Sequence, residues 1–271
     1  MTFVNPSLIQ SDLLRVFHDT TRLVLPPAMD GYRFEWDGPI RREYGLDPAK
    51  HATVDCPSGL GPDPMTYDEV IARQRDFFAA RGQELEWKTY DYDEPADLGA
   101  RLVAAGFVKQ DDEALILGEA RPLAEQQIVL PEGVVVRAVD SREDFDRIRE
   151  LYRQVWGDDP VWVSGSLYER WVARPETMDV VVVEESREGP VLCSARSEYD
   201  DSPFTGLWGG STLAEWRGRG LYRATLLHRA RLGLARGKDY VRVDASPDSE
   251  PILRRLGLHR VATTTPYVFT P

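Results

Sequence analysis

Cysteine is nearly absent from this 271-residue chain: Cys56 and Cys193 are its only two. That is too few for a disulfide framework, and no CxxC or His-rich spacing suggests a metal site, so none is expected. Histidine is scarce as well. None of His18, His51, His228 and His259 stands in a recognisable triad context with a serine or cysteine. No apolar run approaches the roughly 18 residues of a membrane span, and nothing resembles a signal peptide. Positive charge is in deficit, with 33 basic against 45 acidic side chains and a net charge of −12. That sign repels phosphate backbones and argues against a nucleic-acid binder unless a local basic patch intervenes. The expectation is a cytoplasmic globular protein with neither membrane nor nucleic-acid partners. Apolar residues make up 42% of the chain, enough for a core, and the length admits one large domain or two ordinary ones.

The second half reads most clearly. Gly133–Arg137 and Val180–Glu184 are short β-branched runs, the latter suited to a strand covered on both faces. Between them, Ser141 with Asp144 three residues on resembles a capping box, and Phe145, Ile148, Leu151, Tyr152 and Val155 follow at helical spacing. A further helical stretch covers 166–172. Val191–Tyr199 and Phe204–Leu213, separated by a short turn, predict an antiparallel hairpin. A helix from Tyr222 to Arg236 presents Leu226, Leu227, Ala230 and Leu234 as its apolar stripe, with Arg223, His228, Arg229 and Arg231 off it. Gly237 is its expected cap. Tyr240–Asp244 reads as a strand, Ser249–Leu256 as a helix and Arg260–Phe269 as a last strand. The order β-α-α-β-β-β-α-β-α-β predicts a mixed, mostly antiparallel sheet flanked by helices, an α/β (α+β) architecture.

The first half repeats part of this pattern. A helix over Asp68–Arg81, closed by Gly82, precedes a strand at Glu84–Tyr92, a helix at Ala96–Ala105 and a strand at Glu113–Leu117. An Ala-Arg-Gly closure, strand, acidic turn, helix and Gly-hydrophobic step recur in both halves. The offset is 155 residues between Gly82 and Gly237 and 151 between Gly106 and Gly257, so one small indel separates the copies. Two domains are expected, 1–127 and 128–271.

Arg217-Gly218-Arg219-Gly220-Leu221-Tyr222 lies between a strand and the Tyr222–Arg236 helix. Glycines let a backbone approach a ligand closely, and a helix N-terminus offers unpaired amides with partial positive charge. Together they form a cradle for a pyrophosphate. The spacing is neither a Rossmann fingerprint nor a P-loop. Here the chain resembles the GNAT superfamily of N-acetyltransferases, whose coenzyme A loop follows Gln/Arg-x-x-Gly-x-Gly/Ala. Arg217 and Gly220 fill the first and fourth positions, while Tyr222 replaces the small last residue. The resemblance implies two tandem GNAT-like domains, the first degenerate, with acetyl-CoA bound by the second. It implies that Ser211, Thr212 and Leu213 on a splayed strand hold the pantetheine arm through their backbone. The amides of Gly218, Arg219, Gly220, Leu221 and Tyr222 would hold the pyrophosphate, and the stretch Asp244–Pro247, with Ser246, would flank the thioester. The first copy lacks the loop: Gly61 to Tyr67 includes Pro62 and Pro64, which remove amide donors, and Asp63, which would repel phosphate.

The implied activity is transfer of an acetyl group to the primary amine of a small molecule or peptide. Many relatives carry a glutamate base eleven residues before the loop's Gln/Arg, and a tyrosine acid before the Gly-hydrophobic step. Here those positions are Gly206 and Leu253. Glu198 is the candidate replacement base. Trp156, Trp162, Tyr168, Trp171 and Trp208, with Asp158 and Asp159, are candidates for a cage around a cationic amine. The alternative is a non-catalytic acyl-CoA sensor or interaction module of the same fold.

Overall fold

The computed structural model describes residues 6–61 and 65–271. Pro62, Asp63 and Pro64 therefore lie outside the described residues. The chain divides into two compact units. One contains the described residues up to Ile116 with Asp244–Pro251 and His259–Pro271; the other contains Leu117–Val243 and Ile252–Leu258. Against the expected cut at 127/128, residues 117–127 group with the second unit, and Asp244–Pro251 and His259–Pro271 with the first.

The first half runs α1 (Pro6–Phe17), β1 (Tyr32–Asp37), β2 (Ile40–Gly45), β3 (Ala52–Asp55), α2 (Tyr67–Ala80), β4 (Leu85–Tyr90), α3 (Leu98–Ala104), β5 (Val108–Lys109), β6 (Glu113–Glu119) and α4 (Ala120–Ala124). The second runs β7 (Val135–Ala138), α5 (Arg142–Trp156), α6 (Tyr168–Ala173), β8 (Met178–Glu184), β9 (Cys193–Tyr199), β10 (Phe204–Thr212), α7 (Leu221–Ala235), β11 (Tyr240–Ala245), α8 (Glu250–Arg255) and β12 (His259–Phe269). The second-half order is the one its periodicity predicts.

In the first unit β1–β2, β2–β3 and β4–β12 pair antiparallel, while β3 and β4 are parallel. In the second, β7–β8, β8–β9 and β9–β10 are antiparallel and β10 and β11 are parallel. The duplication therefore extends to strand sense. β3, α2 and β4 correspond to β10, α7 and β11, each a parallel pair linked through a helix.

Local chemistry accounts for the second unit's frame. Ser141 caps α5 by accepting from the Asp144 amide, and Gly157 ends it in the left-handed region at φ 87°. Phe145, Ile148, Leu151 and Tyr152 are buried on its inner face, as the spacing predicts. Asp144 and Glu184, both buried, share Arg137 and Arg147 in a closed ion-pair network. A lone buried carboxylate would be costly; these two are paired on both sides. Helix α7 is buried nearly all round. Arg229, expected on its solvent side, is only 1% exposed. Its Nε donates to the Thr225 carbonyl and its Nη1 to the Arg196 carbonyl, so main-chain acceptors take up the buried guanidinium.

Close approach of α7 to the sheet depends on Gly233, where an added Cβ would lie 2.2 Å from Thr205 Oγ1. Gly233→Leu is therefore expected to destabilise the protein by about 1–3 kcal/mol through overpacking, although leucine favours helix. Urea unfolding checks this, and unchanged stability would contradict the packing described.

Candidate acyl-CoA site

The parallel ladder between β10 and β11 joins Phe204 to Tyr240, Thr205 to Val241 and Gly206 to Arg242, and stops there. Strand β10 nevertheless continues to Thr212, still paired with β9. On the β9 side the register shifts between Trp208 and Ser211, a bulge at Gly209 and Gly210, with Gly209 at φ 61°. Beyond Gly206, therefore, the β11-facing edge of β10 has no described ladder partner. An extended ligand can use those main-chain groups as it would a sheet edge.

The expected loop follows. Ala214–Trp216 form a short 3-10 turn, and Gly218 and Gly220 both adopt positive φ, 73° and 83°. Side chains rarely adopt this backbone conformation, so glycine here is a conformational requirement. Gly220 is the N-cap of α7. No side chain caps it, and no acidic residue stands in the first turn. Positions 217–220 are exposed. An added Cβ at Gly218 would meet nothing within 4 Å. The helix's own first turn thus places no carboxylate on its positive end, and an added Cβ at Gly220 would lie 3.5 Å from the Val129 carbonyl oxygen.

The named side chains sort into two groups. Ser211 is buried and accepts from Trp156 Nε1 at 3.0 Å, and Thr212 donates to Cys193 Sγ at 3.2 Å. The Leu213 amide donates to the Leu192 carbonyl. Leu221 enters the core. Tyr222 lies over Gly210, where an added Cβ would sit 2.5 Å from its ring, and burial raises its pKa. Tyr222 thus packs at the helix start. Arg217 reaches back to the Thr212 carbonyl at 3.3 Å, and Arg219 stacks over Trp216 at 4.8 Å. Any contribution of Ser211, Thr212, Leu221 and Tyr222 to ligand binding falls to the main chain, whereas both main-chain groups of Leu213 are engaged, its carbonyl accepting from the Trp216 amide. Ser246 lies in the turn after β11 within the first unit, its hydroxyl 3.3 Å from that of Ser249.

Glu198 pairs in register with Gly206, but it is not a free carboxylate. Its Oε1 accepts from both Arg170 and Arg196. Burial would raise its pKa, yet the two guanidiniums outweigh burial and hold it below the usual glutamate value. A carboxylate clamped in this way is a weak proton acceptor unless its ion pair opens. Nor do the five aromatics form one cage. Tyr168 and Trp171 pack on Phe145, Trp156 binds Ser211, and Trp162 has Arg196 5.8 Å from its ring centre. Asp159 pairs with Arg149. Cys193 is buried, which pushes its thiol pKa up to about 11.

The same positions in the first copy are closed. Thr66 and Glu69 form a full capping box on α2, and the Thr66 amide and hydroxyl hold the Glu69 pKa down. A protein carboxylate already occupies that helix start. Arg22, buried, spans Asp55 at the end of β3 and Asp93 after β4, with its guanidinium 3.8 Å over Tyr90; Arg41 also binds Asp55. A groove of about 860 Å³ in this unit is lined by Asp91, Asp93, Glu94, Asp97 and Asp112 against Lys109, the wrong sign for a diphosphate. Among the described residues no cluster of His, Cys, Asp or Glu is placed to hold a metal, and no helix is long and apolar enough to cross a membrane.

Sequence reasoning missed Gly209-Gly210, Arg170, Arg196 and Arg242. A glycine pair inside a strand is a readable bulge signal. The arginines carry none until the register brings them together.

No family model matches the chain, and no curated protein matches it. Solved structures do. A GCN5-related N-acetyltransferase from Kribbella flavida aligns over 100% of this chain and 97% of its own, with TM-score 0.65 and 17% identity. A tandem GNAT protein from the clavulanic acid biosynthesis pathway aligns over 98% and 95%, with TM-score 0.64 and 13% identity. A GCN5-related N-acetyltransferase from Sphaerobacter thermophilus aligns over 85% and 76%, with TM-score 0.62 and 15% identity. The chain has the GNAT fold.

Proposed function

We propose that the second unit binds acetyl-CoA and transfers its acetyl group to a primary amine. The observation that carries this is the uncapped, glycine-flanked start of α7 beside the strand edge that β11 leaves free. The resemblance of fold to N-acetyltransferases adds to it. The main chain of 218–222 holds the pyrophosphate, aided by Arg217 and Arg219, and the β10 edge through Ser211 and Thr212 holds the pantetheine arm. When bound, acetyl-CoA supplies an activated acyl thioester. The amine nitrogen forms a bond to the acyl carbon as the C–S bond breaks, and the proton lost by nitrogen ends on sulfur. Gly206 and Leu253 stand at the family's acid–base positions, and Glu198 is clamped, so solvent carries that proton. The first copy shapes the protein without binding acyl-CoA, because its helix start and strand gap are filled by its own side chains.

The second reading, a sensor that binds acyl-CoA without turnover, is favoured by the same missing acid and base. A thiol-release assay with acetyl-CoA and a panel of amines separates the two; release on at least one amine supports the enzyme, and binding without release supports the sensor.

Gly220→Asp is expected to weaken acetyl-CoA binding at least tenfold in calorimetry, because it sets a carboxylate at the diphosphate position. Gly220→Asn, which tolerates positive φ without charge, is expected to stay within about threefold of wild type. Unchanged affinity in the aspartate variant would remove the site. Because the folded pKa of Glu198 is depressed, its ion pair stabilises fully above the usual glutamate value of 4.5 and is lost as pH falls through the folded value. Glu198→Gln is therefore expected to cost stability at pH 6–8 and progressively less below about pH 4.5, in thermal melts. The shape of its turnover profile between pH 6 and 8 is expected to match wild type. A base limb lost in the variant would restore Glu198 to proton transfer.

A further inference from the structure

In the second unit the open edge of β10 already has an occupant. The Leu213 amide donates to the Leu192 carbonyl, on the β9 side. Across a trans peptide the carbonyl points the opposite way, so the Thr212 carbonyl faces away from β9, along the edge that β11 leaves beyond Gly206. That carbonyl accepts from Arg217 Nε at 3.3 Å. The arginine thus folds back from the start of the glycine turn onto the strand.

Arg217 holds this place loosely. It is exposed, and among the described residues no carboxylate pairs with it, in a chain with 45 acidic side chains. Gly218 follows at φ 73°, and an added Cβ there would meet nothing within 4 Å, so the turn beside it is open. The first copy offers the contrast. There the Arg22 side chain is 1% exposed and tied to both Asp55 and Asp93. Burial and two carboxylates make Arg22 a fixed plug. A single carbonyl at the surface, where water competes for both partners, makes Arg217 a displaceable one.

We propose that Arg217 is a specificity-determining residue that makes the site select acyl donors carrying a diphosphate. An extended ligand that uses the Thr212 carbonyl must break the Arg217 bond to reach it. A donor whose diphosphate lies at the start of α7 offers the guanidinium a stronger, charge-assisted partner in return. A pantetheine thioester without phosphates offers none, and the broken bond goes uncompensated. The selection rests on the acetyl-CoA reading. The occupied carbonyl is read from the Arg217–Thr212 bond itself.

Calorimetry on the full-length protein tests this with three ligands: S-acetylpantetheine, acetyl-dephospho-CoA and acetyl-CoA. Wild type is compared with Arg217→Ala and with Arg217→Met, which keeps the length of the side chain without its donors. Both variants are expected to bind S-acetylpantetheine about threefold more tightly than wild type, because the Thr212 carbonyl is free. Both are expected to bind the two diphosphate ligands at least threefold more weakly, so that selectivity for the diphosphate falls about tenfold. Opposite signs on the two ligand classes separate this role from simple attraction of anions, which would leave S-acetylpantetheine unaffected. If either variant fails to fold by circular dichroism, the other decides. The proposal is overturned if the folded variants bind S-acetylpantetheine no better than wild type, or not at all. It is also overturned if they bind the diphosphate ligands as tightly as wild type, or lose affinity for acetyl-CoA and not for its dephospho form. Failure of wild type to bind acetyl-CoA would instead sink the acetyl-CoA reading, while tighter S-acetylpantetheine binding in the variants would still report the displaced contact.

Discussion

The early end of one parallel ladder governs the second unit. Had β10 and β11 stayed hydrogen-bonded beyond Gly206 and Arg242, the edge of β10 would be consumed by its neighbour and nothing extended could enter the sheet. Instead the bulge at Gly209 and Gly210 bends β10 while β9 keeps hold of its other edge. The chain then turns through Gly218 and Gly220 directly into α7. A free strand edge, a glycine turn and an uncapped helix start are thus consecutive in sequence and adjacent in space. Water can satisfy these groups where they are exposed, and an extended anionic ligand can take its place.

The duplication gives an internal control on that argument. The corresponding places in the first copy are occupied by its own side chains. The helix start is held by its own Glu69, the strand gap by Arg22 between Asp55 and Asp93, and the nearby groove is acidic. Two units of like topology thus differ at the points where an anionic, extended ligand would bind. Topology alone does not produce an open site; the choice of glycine against threonine and glutamate at the helix start does.

Much of the frame was legible because it follows from short-range rules. The β-branched run at Val180–Glu184, the Ser141 cap and the Phe145–Tyr152 spacing all lie where the pattern puts them. The recurrent Gly82 and Gly237 closures exposed the repeat. The N-terminal hairpin was not read, although Asp37-Gly38 between YRFEW and IRREYG is a turn signal of the expected kind. The inward turn of Arg229 was invisible because its acceptors, the carbonyls of Thr225 and Arg196, belong to backbone whose placement depends on the fold. The same holds at the acceptor side. Glu198 looks like a free carboxylate in a list of residues, and only register and the approach of α6 reveal Arg196 and Arg170 on the same oxygen. Departure of the last strand, β12, into the first unit also leaves no local mark.

Amide hydrogen exchange with and without acetyl-CoA reads the central claim most directly, since the claim concerns main-chain donors. Protection on binding should appear across the β10 edge at 207–213 and the turn and helix start at 218–224, with no change at 66–70 in the first copy. Protection confined to the first copy, or none at 218–224 under saturating ligand, would contradict the account.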